Sequence, residues 1–245
     1  MRGDILKKKL MVLCAVAIMI STCLTGCKMN SGKIRFGSAG IGGTYQIFGD
    51  TFANLISSKS KKYNIEVKTT AGSAANLRLL SKDYIQMAVA QMDLINDAYN
   101  RTGIFENDKK YQGYRAVASL YTEACQIVVP ADSDIQSMDD LEGKKVCIGE
   151  EESGTEQNAL QILNAYGLNE RLVDTVNLNY TDAAKKLKSG DIDAFFCTAG
   201  VQTTVINELS KQCKIRLVSL DQKGVSRLKK SYKFYTEYTI PAGTY

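Results

Sequence analysis

Two short segments carry the residue types best suited to holding a small anion. Phe36-Gly37-Ser38-Ala39-Gly40-Ile41-Gly42-Gly43-Thr44-Tyr45 runs from an apolar stretch through a glycine loop into a helical pattern. Gly149-Glu150-Glu151-Glu152-Ser153-Gly154-Thr155-Glu156 does the same later in the chain. Glycines let a backbone approach a ligand, and a helix start presents unpaired N–H groups with a partial positive charge. Together these features make an anion site. The first segment is not a dinucleotide fingerprint, because Tyr45 stands where the third glycine is needed. It is not a P-loop either, since no Gly-Lys-Ser/Thr follows. A purely conformational glycine turn stays open for the first segment, and simple helix capping by Ser153 or Thr155 for the second. The run Glu150–Glu152 offers paired carboxylates for acid–base work, but acids before a helix ordinarily complement its dipole.

The chain excludes much other chemistry. It has 245 residues, 44% hydrophobic and 23% charged, and no histidine. Ser/His/Asp and Cys/His nucleophile systems and histidine metal sites are therefore impossible within it. A general base would have to be Asp, Glu, Lys, Tyr or Cys, and the sequence shows no pairing that would tune one. No metal or other cofactor is expected. Cys125, Cys147, Cys197 and Cys213 are not spaced as CxxC. They read as small buried hydrophobes, with Cys147 and Cys197 in strand-like runs.

Residues 1–26 have the order of a secretory signal: Arg2, Lys7, Lys8 and Lys9, then the uncharged run Leu10–Leu24, then Thr25 and Gly26. The run is shorter than the about 20 apolar residues of a spanning helix. Leu24-Thr25-Gly26-Cys27 resembles a bacterial lipobox, which implies lipidation of Cys27, a membrane anchor through that lipid, and a tether over 27–33. Without Asp4 and the four basic residues, the net charge drops from +5 to +2. No basic block with interleaved aromatics remains, so no nucleic-acid partner is expected.

The elements that must position the two junctions alternate in type. Strand patterns at Ile34–Ser38, Ile65–Thr69 and Met87–Ala90 alternate with helices over Tyr45–Ser58, around Ala74–Leu80 and over Leu94–Tyr99. After Arg115–Leu120 the theme restarts. Strands at Gln126–Val129, Lys145–Ile148, Val176–Leu178, Ala194–Cys197 and Ile215–Leu220 alternate with helices over Glu156–Tyr166, Ala183–Leu187 and Thr204–Leu209. Gly167 supplies a helix C-cap, and Asp93 reads as a helix N-cap. This alternation predicts an α/β fold around mainly parallel sheets. Two lobes are expected, 34–121 with 221–245 and 122–220, with a ligand cleft between them.

Phe36–Gly49, Thr70–Leu77, Ala90–Asp93 through Phe105, Ser153–Ala159, Asp193–Val201 and Ile240–Tyr245, taken in order, resemble the TAXI family of TRAP-transporter solute-binding proteins. The resemblance runs from about Lys33 to Tyr245. Gln46 and Ile47 depart from a Tyr and Pro common in the family, and Gln202 stands where a Pro is common. The resemblance implies a two-lobed type II periplasmic-binding-protein fold and an exported protein, which the lipobox-like Leu24–Cys27 would anchor by lipid on the outer face of the cytoplasmic membrane. It also implies a small carboxylate or amino-acid ligand, such as glutamate or glutamine, delivered to a TRAP-type permease. Carried over residue by residue, it puts Gly43, Thr44, Tyr45, Ser73, Asn76 and Gln91 at the ligand from one lobe. Ser153, Gly154, Thr155, Thr198 and Ala199 come from the other. Family members continue beyond the motif at Ile240–Tyr245, which implies that lobe one is incomplete here. A sensory binding protein feeding a receptor kinase is the alternative, because a fold does not fix its downstream partner.

Overall fold

A computed structural model of the protein describes residues 33–109, 111 and 113–245. The expected signal over 1–26, the Cys27 lipid site and the tether up to residue 32 lie outside the described residues. The first sheet is built from β1 (Lys33–Gly37), β2 (Asn64–Lys68) and β3 (Met87–Ala88), in the order β2-β1-β3. Each strand leads into a helix: α1 (Thr44–Lys59), α2 (Ser73–Ser81) and α3 (Met92–Asn100). β1 and β3 are parallel, with Phe36 opposite Met87. Phe36 packs on Phe48 and Phe52, whose i,i+4 spacing on α1 stacks their rings at 5.9 Å.

The second sheet has the order β6-β5-β7-β4-β8. Its strands are β4 (Ala124–Pro130), β5 (Lys145–Cys147), β6 (Asp174–Val176), β7 (Ala194–Ala199) and β8 (Ile215–Leu217). α4 (Gly154–Ala165), α5 (Tyr180–Ser189) and α6 (Thr204–Gln212) connect them. β5 runs parallel to β6 and β7, whereas β4 is antiparallel to β7 and β8. β7 reads Ala-Phe-Phe-Cys-Thr-Ala, and every residue in it is buried. A strand covered on both faces needs such a continuous apolar run. Phe196 joins Val146, Ile162 and Leu163 on one face, while Phe195 and Cys197 join Ala183, Leu187 and Ile206 on the other.

One helix is absent from the sequence pattern. α7 (Gln222–Ser231) offers only Val225 and Leu228 as large apolar residues, too few to register as a periodic face. It forms because Asp221 caps it, accepting from the Gly224 N–H, and because Leu228 is buried against the second sheet's core. Residues 221–245, expected with lobe one, also send Tyr232, Tyr235 and Tyr245 against that sheet. Asp93 is not an N-cap as expected: Gln91 caps α3, and Asp93 lies within its first turn. Gly167 follows α4 at φ +78°, the left-handed conformation that ends helices.

The four cysteines of the described residues are free, and Cys147 and Cys197 are buried. Burial raises both of their thiol pKa values. Alkylation of the native protein followed by peptide mapping is therefore expected to label half-buried Cys213 before either of them. Modification of Cys197 at the same rate as Cys213 would show that β7 is not the closed core strand described.

Candidate functional site

The starts of α1, α2, α4 and α5 meet at a cavity of about 40 Å³ between the two sheets. Its wall includes Gly43, Thr44 and Tyr45 from α1, Gly72 and Ser73 from α2, Ser153, Gly154 and Thr155 from α4, and Asn179 and Tyr180 from α5. No lysine or arginine lines it among the described residues. α1 and α2 begin at glycines and have no side-chain cap. Ser153 caps α4 by accepting from Glu156 N–H, and Asn179 caps α5 by accepting from Asp182 N–H. Each side-chain cap uses one N–H of its first turn, so the helix ends keep a net positive field toward the cavity.

Contacts between the two halves hold these starts together. Ala75 N–H donates to the Glu152 carbonyl (3.2 Å). Thr181 Oγ1 donates to the Ile41 carbonyl (3.2 Å). Arg78 Nε lies 2.9 Å from Glu152 Oε1, and the same guanidinium pairs with Asp108. Gly154 is closely approached: a Cβ there would sit 1.9 Å from Gln91 Oε1, so the Gln91 amide would have to shift.

Ten of the eleven ligand positions expected from sequence line the cavity: Gly43, Thr44, Tyr45, Ser73, Gln91, Ser153, Gly154, Thr155, Thr198 and Ala199. Asn76 does not. It is fully buried behind the wall, where its Nδ2 donates to the Ser38 (2.7 Å) and Val89 (2.9 Å) carbonyls and Oδ1 accepts from Thr70 Oγ1. Asn76 thus ties the ends of β1 and β3 together, and an amide is needed because it both donates and accepts. Of the two capping alternatives, Ser153 is the cap. The Thr155 hydroxyl instead hydrogen-bonds Tyr180 Oη, which donates to the Thr198 carbonyl (2.9 Å).

The sequence reading missed Glu123, Tyr180 and Asn179, and did not give Glu150 a place at the ligand. Asn179-Tyr180-Thr181-Asp182 carries the signature of an N-cap with an acid in the first turn, which would have put Tyr180 at a helix start. Glu123 follows a stretch without regular structure and had no such signal. Tyr45 Oη donates to Glu123 Oε2 (2.9 Å) and Tyr121 Oη to Oε1 (3.4 Å). Burial pushes the Glu123 carboxyl up to about 7, although donation from Tyr45, Gln91 and Tyr121 pulls it down. Burial also raises the Glu150 carboxyl, with Asp182 adding to the effect. A larger groove of about 1210 Å³ runs beside the first sheet past Phe36, Phe48 and Phe52, and Tyr45, Gln91 and Glu123 stand between it and the cavity. The starts of α2, α4 and α5 do not reach that groove.

Residues 36–245 match the profile described as the NMT1-like family. The chain belongs to the NMT1-like family. Among solved structures, the NMT1-like chain is similar to the alkanesulfonate-binding protein of Xanthomonas axonopodis pv. citri bound to MOPS. That match has 18% identity and a TM-score of 0.52, over 77% of this chain and 60% of that one. A binding-protein component of a phosphonate ABC transporter from Pseudomonas aeruginosa matches at 12% identity and TM-score 0.54, over 86% and 76%. An ancestral arginine-binding protein bound to arginine matches at 19% identity and TM-score 0.51, over 83% and 93%. The NMT1-like chain thus spans about three-fifths of the length of the alkanesulfonate-binding protein. These likenesses show the fold, the two-lobed type II periplasmic-binding-protein arrangement of α/β lobes around a cleft. Within it, the cavity of the NMT1-like chain lies where the two sheets' helices face one another.

Proposed function

We propose that the chain is the extracytoplasmic solute-binding component of a transporter. It takes a small carboxylate, such as glutamate, glutamine or a related acid, into the cavity and hands it to a membrane permease. The observation that carries this reading is the meeting of four helix starts at one cavity whose wall has no lysine or arginine. Backbone N–H groups recognise a carboxylate there without a fixed cation, and the hydroxyl of Thr44 adds a directional donor. The ordered motifs from Phe36 to Tyr245 favour a TRAP-type permease of the TAXI kind, and the lipobox-like Leu24–Cys27 favours a lipid anchor. The ligands named for the structural neighbours, a sulfonate buffer and arginine, each carry an acidic group together with a basic one.

The cavity as built has room for only a few water molecules. A solute the size of glutamate therefore enters when the lobes part and is enclosed when they close. The test is calorimetry of the full chain against L-glutamate, L-glutamine, glutarate and a diamine. The expected result is micromolar binding of the acids, about −8.2 kcal/mol, and none of the diamine. Binding confined to neutral or cationic solutes would remove the carboxylate. Thr155→Ala is expected to weaken binding about tenfold with the fold intact, since it deletes one hydroxyl from the wall and unlinks Tyr180. An unchanged affinity would take Thr155 out of the site.

A further inference from the structure

Glu123 is a group that carboxylate binding alone does not call for. It brings a negative side chain to a wall of helix starts, hydroxyls and small residues that Glu150 also reaches. Its hydrogen-bond donors, Tyr45, Gln91 and Tyr121, are all neutral. No lysine or arginine pairs with it among the described residues. Its charged environment adds only a further acid, Asp93 on α3, which raises the carboxyl rather than relieving it. A carboxylate taken from water ordinarily has a cationic partner, because desolvation is costly without one. Three donors leave at least one of the carboxylate's about four acceptor sites open. The phenols also fix where the carboxylate sits, which pre-organises it.

Positive helix ends belong to α1, α2, α4 and α5; Glu150 stands just before α4, at a helix start itself, whereas Glu123 is the residue that enters β4. We propose that Glu123 receives an ammonium group of the solute, so that the cavity selects molecules carrying an amine as well as a carboxylate over carboxylates alone. This rests on the solute-binding reading of the cavity and gives it a second recognition element. The solute's acid faces the helix starts and its ammonium donates to Glu123, so a zwitterion meets the opposite charge at both ends. A simple acid leaves Glu123 either charged and unpaired or carrying a proton taken up from solvent.

The test compares pairs of solutes that differ only in the amine, L-glutamate with glutarate and L-alanine with propionate, by calorimetry on the full chain. The amine-bearing member is expected to bind at least about tenfold more tightly. Glu123→Gln should bring glutamate to within about threefold of glutarate while glutarate holds its affinity or gains. Glu123→Asp, which keeps the charge, should keep the preference. Thermal unfolding of each variant reports its fold, and if Glu123→Gln does not fold, the wild-type pairs and Glu123→Asp decide. Equal affinity for both members of each pair overturns the proposal, as does a Glu123→Gln that weakens glutamate and glutarate alike. In both cases the carboxylate-binding function stands. Binding of no member of any pair removes that function and the proposal with it.

Discussion

Gly154→Val is expected to abolish most solute binding while the protein still folds. Gly154 is the first residue of α4, its φ is negative, and a side chain there strains no backbone angle. What the position lacks is room. A Cβ would fall 1.9 Å from Gln91 Oε1 and 2.4 Å from its Cδ, on the wall of a cavity of about 40 Å³. Gln91 can swing aside only by giving up the 3.0 Å bond from its Nε2 to Asn158 Oδ1. Overpacking of this kind typically costs about 1–3 kcal/mol, up to about a hundredfold in affinity when it is felt mainly in the closed, solute-bound form. Calorimetry and a thermal melt separate the two effects. Wild-type affinity would show that Gly154 does not face the solute. A collapsed melting temperature would show that its role is in folding.

Phe196→Ala is expected to cost about 3–5 kcal/mol of stability, a large share of the about 5–15 kcal/mol available to a folded domain. Phe196 is fully buried on the central β7, packed with residues of β4, β5 and α4, and Leu228 of α7 belongs to the same cluster. Flanking strands and helices leave the site little freedom to collapse into the space. Urea unfolding followed by circular dichroism measures the loss. A change below about 1 kcal/mol would mean that this face of the sheet is not tightly packed.

The parts of the fold that were legible in sequence were those with a strong period. α1 carries Phe48 and Phe52 at helical spacing, and β7 carries an unbroken apolar run, so local pattern and tertiary burial agree. α7 was illegible because its stability comes from one cap and one buried leucine rather than from a face. The antiparallel course of β4 was also hidden, since strand direction leaves no mark in side-chain alternation. At the site, glycines and capping residues announced themselves because helix starts need particular backbone shapes. Asn76 shares that segment of sequence but turns inward to serve the Ser38 and Val89 carbonyls. Glu123 and Tyr180 reach the cavity only through the way the two sheets face each other, and a linear pattern holds no record of that.

Arg78 adds a consequence for timing. It joins α2 to Asp108 on its own side and to Glu152 across the cleft, yet it does not line the cavity. The tie is partly solvent-exposed, so ionic strength weakens it, whereas the enclosed helix starts are shielded. One of the ties that hold the cleft shut is therefore made by a residue that does not line the cavity. Delivery to a membrane partner requires the cleft to reopen, and neutralising Arg78 would weaken this tie without changing a side chain that lines the cavity.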